Sequence, residues 1–426
     1  MRERRQGSCQ VRRRQIAGGA DGRDQSVLRD REIESGWGRW VVGTLVAASA
    51  LTACSSSSTK TNGASSPAPT DSSSSASASA SSPSSAGGDE GAAAQAKITT
   101  LSAVPTAIRV TDPLKSKPET GKTFVWLKCD VSQCKDEGDG IKEATQAIGW
   151  NYKEISYQSA NPATLVSALK QALQFKPAGV ALSGLPRAVW QSVAPAYVDA
   201  KVPIVIGYVG GGNNVQDPVI GEIGGDADVS AYGDAIAQWF IAQSGAKGHA
   251  VLSSVNDFPV LKTFSTSFKK SVAADCKACT IKEVNATIPQ IFAGAIPGQM
   301  VSAIQADPSI KYVIGSDMPF LTGISAKLAA DNLSGVKVAA ESGDAASLTL
   351  LKNDPSYGAS TGLALHYTGW AFVDMVLRHE QGLTIQPSDG GLPKQLLVKG
   401  GNWTPADSFD QPVSFREDFK KLWQVG

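Results

Sequence analysis

Histidine is almost missing from this chain: His249, His366 and His379 are its only three in 426 residues. That scarcity argues against a histidine-rich metal site and against chemistry that needs several imidazole bases. There is no G-x-x-x-x-G-K-[ST] stretch to cradle phosphates. The glycine run GYVGGG (207–212) leads into Asn213-Asn214 and more extended chain, where a dinucleotide fingerprint needs a helix. Aspartates and glutamates are scattered, with no pair placed by spacing for acid–base work. Lysine is absent from residues 1–53, which hold ten arginines against six acids and leave 30 basic and 33 acidic residues for the rest. A slightly acidic folded part has no basic footprint for nucleic acid. These absences favour binding over catalysis and suggest neither a cofactor nor a metal.

What is present begins with a leader. Arg29, Arg31 and Arg39 precede the apolar run WVVGTLVAASALTA (40–53), which is shorter than the roughly 20 residues of a spanning helix. Its small-residue end suits the cleavable core of a signal peptide, spanning 1–53. Leu51-Thr52-Ala53-Cys54 resembles the lipobox of bacterial lipoproteins, in which the cysteine becomes the lipidated first residue after cleavage. Residues 54–96 are Ser-, Ala- and Gly-rich and hold almost no large apolar side chain, so nothing offsets an ordering cost of roughly 1–2 kcal/mol per residue. They are expected to form a disordered tether.

A Pro-rich strap (97–122) then leads into a regular alternation. The strand-like segments FVWLKCDV (124–131), KEISYQ (153–158), GVALSG (179–184) and VPIVIGYV (202–209) are separated by helix-like segments at 135–150, 163–176 and 187–200. Short apolar strands alternating with helices imply a parallel, doubly wound sheet covered on both faces. The rhythm restarts after PVIGEIGGD (218–226), with strands at 249–255, 280–287, 311–316 and 336–342 between helices at 228–245, 259–274, 297–308 and 321–333. The fold class is α/β, with two doubly wound lobes. The first spans 97–226, with 367–394 returning to it; the second spans 227–366, with 395–426 completing it.

In an exported chain, Cys129 and Cys134 (C-x4-C) and Cys276 and Cys279 (C-x2-C) read as two local disulfides. Two pairs could also make a four-cysteine zinc site, but they lie in different units about 140 residues apart. A thioredoxin-like role for CKAC is disfavoured, because it precedes a strand where that motif opens a helix.

Several stretches, in this order and spacing, resemble the type 1 periplasmic binding proteins of the ribose/galactose-binding class in their Gram-positive lipoprotein form. They are the lipobox and tether, SANPATLVSALKQALQFKPAGVALSG (159–184), VPIVIGYV (202–209), IGGDADVSAYGDAIAQWFI (223–241), VIGSDMPFLTGISAKL (313–328) and TGWAFVDMVLR (368–378). The resemblance implies two lobes joined by a three-strand hinge that close over a small-molecule ligand. It also implies a monomer, anchored to the outer face of the cell membrane through Cys54, that delivers its solute to an ABC permease and its ATPase. A ligand-sensing receptor of the same fold is the alternative.

Ligands of doubly wound sheets bind at the carboxyl ends of strands, which nominates the residues there. In the first lobe these are Asp130, Ser132, Gln133, Ser183, Leu185 and Tyr208. In the second they are Asn256, Asp257, Phe258, Lys262, Ser316, Asp317, Met318, Glu341, Ser342 and Asp344, with His366 and Tyr367 near the third crossover. Phe258, Tyr208 and Trp126 are candidates for stacking, and Asp257, Asp317 and Glu341 for binding hydroxyls. Bland roles compete: Trp126 as core, Asp317 as a helix cap, Asp130 and Gln133 as decoration of the disulfide loop, Lys262 as a solvated helix residue. The class carries Asp-Arg after strand four, where this chain has Tyr208-Val209, and Asn-Asp where it has Ser316-Asp317. An arginine usual in the second lobe's first helix matches only Lys262. The polar grip on a pentose or hexose is thinned, which points to a less hydroxylated or partly aromatic solute.

Overall fold

The structure is a computed structural model that describes residues 86–426 apart from 343, 386–390, 402 and 404–407. The expected signal peptide, Cys54 and the expected tether up to residue 85 lie outside the described residues. The tether was expected to run to residue 96, but helix α1 (Ala86–Leu101) already occupies its last part. Ala94 and Ile98 are buried, and Lys97 pairs with Asp275 at 2.7 Å. A low-complexity composition hid this helix because alanine, the best helix former, needs little apolar surface when a neighbouring helix supplies the face.

The chain then crosses through an irregular strap, 102–122, whose Val110 and Leu114 are buried. The first lobe follows: β1 (Thr123–Lys128), α2 (Gln133–Ala147), β2 (Asn151–Ser156), α3 (Pro162–Leu173), β3 (Gly179–Ser183), α4 (Arg187–Trp190), α5 (Ala194–Ala200), β4 (Ile204–Gly207) and β5 (Val219–Ile223). The segment 187–200, expected as one helix, is split by a 3-10 turn at Gln191–Val193. Pro195 accounts for the break, since it has no N–H to continue the helical ladder and fits only the first turn of a new helix, where α5 places it.

The second lobe comprises α6 (Asp226–Gln243), β6 (His249–Ser254), α7 (Pro259–Asp275), β7 (Thr280–Asn285), α8 (Ile288–Phe292), α9 (Ile296–Ala306), β8 (Tyr312–Gly315), α10 (Ile324–Ala330), β9 (Lys337–Ala340), α11 (Ala345–Asn353) and β10 (Tyr357–Thr361). Helix α12 (Leu365–Glu380) returns to the first lobe, β11 (Leu396–Val398) to the second, and α13 (Phe415–Leu422) ends the chain.

The first sheet has the order β2-β1-β3-β4-β5 and is parallel throughout. The second has the order β11-β10-β9-β8-β6-β7 and is parallel except for the antiparallel β10–β11 pair. Central strands read as unbroken apolar runs because both faces are covered: Phe124 to Leu127 in β1 and all of β3 and β4 are buried. Strands β5 and β10 carried too weak a signal to be counted. β5 (VIGEI) interrupts its apolar pattern with glycine and glutamate, and β10 (YGAST) is built from small residues.

The C-terminal segment was expected to complete the second lobe, and only β11 does so. Helix α13 lies on the first lobe's α12, where Trp423 stacks on Trp370 at 5.1 Å and Phe419 meets Tyr367 at a tilt, 5.4 Å between ring centres. Two passages, 102–122 and 399–414, therefore join the lobes in addition to the three at 224–225, 362–364 and 381–395.

Candidate functional site

The carboxyl ends of both sheets face one another across a cavity of about 110 Å³. Loop β1–α2 reaches it first. The disulfide Cys129–Cys134 ties the end of β1 to the first turn of α2 and forms part of the wall. The second expected disulfide, Cys276–Cys279, closes the turn before β7, far along the second lobe's own chain.

Three hydrogen bonds join the lobes at the cavity's edge. Ser132 Oγ donates to Asp344 Oδ2 at 2.5 Å, and Gln133 Nε2 donates to Asp317 Oδ1 at 2.8 Å and to Ser342 Oγ at 3.3 Å. These bonds tie the two lobes together in the described conformation, with the cavity between them.

Of the nominated residues, Gln133, Ser183, Leu185, Tyr208, Phe258, Asp317 and Glu341 line the cavity. Ser132, Ser342 and Asp344 border it through the interlobe bonds. Asp344 also caps α11, accepting from Ser347 N at 2.9 Å and from the Ser347 hydroxyl. The remaining nominees point elsewhere. Asp130 is exposed and accepts from Ser159 N. Asn256 and Lys262 face a separate outer groove, and Asp257 accepts from Ile288 N at the start of α8. Ser316 and Met318 are buried in the second lobe without reaching the cavity. His366 pairs with Asp410 at 3.0 Å, and Tyr367 lies in the aromatic cluster under α13, its hydroxyl accepting from Arg109 N. Trp126 is core: it is fully buried and its Nε1 donates to Cys134 O at 3.0 Å. Asp130, Asn256, Asp257, Ser316 and Met318 do follow strand ends without reaching the cavity, whereas Lys262 lies within α7, His366 and Tyr367 within α12, and Trp126 within β1.

Sequence reasoning missed Glu137, Tyr157, Phe292 and Phe320, all of which line the cavity. A signal for Glu137 existed: it lies four residues before Ile141, on the apolar face of α2, where a carboxylate is out of place. Glu137 is 1% exposed, and its Oε2 has no hydrogen-bond partner. Burial pushes its carboxyl up to about 8. Asp317 and Glu341 are also held well above the usual carboxylate range, by burial first and by neighbouring carboxylates second. The walls between these acids are apolar: Val131, Leu185, Phe258, Val260, Leu261, Phe320, Leu363 and Leu365.

Two backbone positions here are strained. Tyr208 has φ +52° and Ser342 φ +117°, regions that side chains larger than glycine rarely adopt. Each is held by its surroundings: the Tyr208 hydroxyl shares a hydrogen bond with Thr368 Oγ1 at 2.9 Å, and Ser342 O accepts from Ser360 Oγ. Such conformations cost of order 1–3 kcal/mol and cluster at ligand clamps.

Two parallel α/β lobes, linked by several passages and closed over a cavity at their strand ends, define a two-lobed solute-binding architecture. The chain belongs to the periplasmic binding protein domain family, whose model matches residues 132–384, more than half of its length. None of the curated proteins matches the sequence. Solved structures share the fold. An ABC sugar transporter subunit from Rhodobacter sphaeroides 2.4.1 is 17% identical, covering 66% of this chain and 99% of its own, with a TM-score of 0.56. A solute-binding protein from Agrobacterium vitis, bound to alpha-D-tagatopyranose, is 18% identical over 66% of this chain and 95% of its own, with a TM-score of 0.57. One from Burkholderia graminis C4D1M, in complex with D-arabinose, is 17% identical over 69% and 100%, also with a TM-score of 0.57.

Proposed function

We propose that this protein is the extracytoplasmic solute-binding lipoprotein of an ABC importer, capturing a small solute between its lobes and presenting the closed form to a permease. The observation that carries the reading is the cavity itself, which takes its lining from both lobes, so that only the closed state offers a ligand its full set of contacts. Membership of the family supports it, as do the sugar ligands of the Agrobacterium and Burkholderia proteins. Cys54 would carry the lipid anchor. No helix among the described residues is long and apolar enough to cross a membrane.

A thermal-shift screen of the full chain against sugars, polyols, nucleosides, amino acids and amines tests the capture step. A compound that closes the lobes raises the melting temperature, and a broad panel without any shift or calorimetric heat would overturn the reading. Uptake of the identified compound by cells lacking the protein then separates transport from sensing: unchanged uptake favours a receptor. Replacing Cys54 with alanine is expected to release the protein from membranes into the medium.

A further inference from the structure

The cavity's charges are one-sided. Glu137 comes from the first lobe, Asp317 and Glu341 from the second, and among the described residues no lysine, arginine or histidine lines the cavity. Only Asp317 has a side-chain donor from across the cleft, the Gln133 amide. Glu137 Oε2 has no partner although it is almost fully enclosed, and Glu341, 5% exposed, feels only burial and the neighbouring acids Asp317 and Asp344. Carboxylates taken out of water without a compensating charge are costly. A sugar would compensate them poorly. Its hydroxyls can donate to carboxylates, but their oxygens also need donors: Gln133 is committed to Asp317, the hydroxyls of Tyr157 and Tyr208 are engaged with Ser183 O and Thr368, and those of Ser159 and Ser183 are what is left.

We propose that the cavity takes a compact organic cation, an amine or quaternary ammonium on an apolar body. This rests on the solute-binding reading and narrows it. The cationic head lies among Glu137, Asp317 and Glu341, and so is held by both lobes. The rings of Phe258 and Phe320, with Phe292 at the rim, offer aromatic faces that attract a cation. The body packs on Val131, Leu185, Leu363 and Leu365. Closure also becomes conditional. Shutting the empty cleft takes these acids out of water; a cation removes that penalty, so the loaded state closes and the empty one resists.

The test is a thermal-shift and calorimetric titration of the full chain with choline, phenethylamine, putrescine and agmatine in one arm. Glucose, ribose, arabinose and erythritol form a second arm, and calcium chloride a third. At least one amine is expected to raise the melting temperature by roughly 3 °C or more at a 100-fold excess over its Kd. Its affinity is expected to fall at least about tenfold in Glu341→Gln and in Glu137→Gln, which keep volume and remove charge. Each variant stands in if the other fails to fold. A shift with a sugar or with calcium while every amine is silent overturns the cation assignment and leaves the solute-binding reading intact. Amine binding that both variants leave unchanged also overturns it. Silence in all three arms overturns the cation assignment, and the solute-binding reading falls with it only if the broader panel of nucleosides and amino acids is silent too.

Discussion

Glu137 holds a proton more tightly in the folded protein than in the unfolded chain, because burial raises its carboxyl from 4.5 to about 8. A group shifted this way stabilises the fold fully below its unfolded value and loses that contribution as pH rises through its folded one. Asp317 and Glu341, raised for the same reason, act in the same direction. So does His366, which Asp410 raises against the opposing effect of burial. Asp410 itself, lowered to about 2, matters only in stronger acid. The empty protein is therefore expected to melt at a higher temperature near about pH 5 than near about pH 8.5. Glu137→Gln should shrink that difference, as a pair of melting curves per protein would show; an unchanged slope would place Glu137 in contact with water. The residue was legible in the sequence as a charge on an apolar helix face. Its role was not, because only the opposing lobe turns that face into a cavity wall.

At the scale of elements, the pairing of α2 with α12 depends on glycine. A Cβ on Gly140 would lie 2.3 Å from the carbonyl oxygen of His366, and one on Gly369 would lie 2.4 Å from the backbone nitrogen of Ile141. Two glycines in α2 look like weak points in the sequence, since each costs a helix about 1 kcal/mol relative to alanine. The close helix contact reverses that reading. Gly140→Ala is expected to lower the melting temperature despite its better helix propensity, and a higher value would show that the helices can separate at no cost. The disulfide Cys129–Cys134 closes a loop too short to remove more than about 2 kcal/mol of unfolded-state freedom. Its larger effect is positional, since it holds the turn that carries Ser132 and Gln133. Cys129→Ser with Cys134→Ser is therefore expected to weaken ligand binding by more than it lowers stability, read by calorimetry against thermal melts.

For the whole molecule, the segments that flank the two lobes are structural. The strap from α1 to β1 and the segment from β11 to α13 add passages between lobes, and α13 closes a buried network on α12. There Arg378 pairs with Asp374 at 2.7 Å with both side chains 1% exposed, Trp423 Nε1 donates to Asp374 at 2.8 Å, and Arg378 reaches the carbonyl of Asp112 in the strap. Trp423→Ala removes a stacked, fully buried ring and leaves that carboxylate short of a donor, so a loss of about 3–5 kcal/mol is expected in denaturant unfolding. Closure belongs to this scale too. In small-angle scattering without ligand, a variant carrying both Glu137→Gln and Glu341→Gln should be more compact than the parent protein, because its closure no longer takes two carboxylates out of water.

The sequence by itself determined the alternation that builds two parallel sheets, the restart that separates the lobes, and the local cysteine pairs. Each is written in neighbouring residues: period, length and spacing survive without knowledge of what packs where. Tertiary structure alone decided which strand-end side chains reach the cavity, why Glu137 and not Lys262 lines it, and where α1 and α13 dock. Those outcomes depend on contacts between residues far apart in the chain, such as Gln133 with Asp317 or Tyr367 with Phe419. A loop residue's direction is set by the surface it meets, and here that surface belongs to the other lobe.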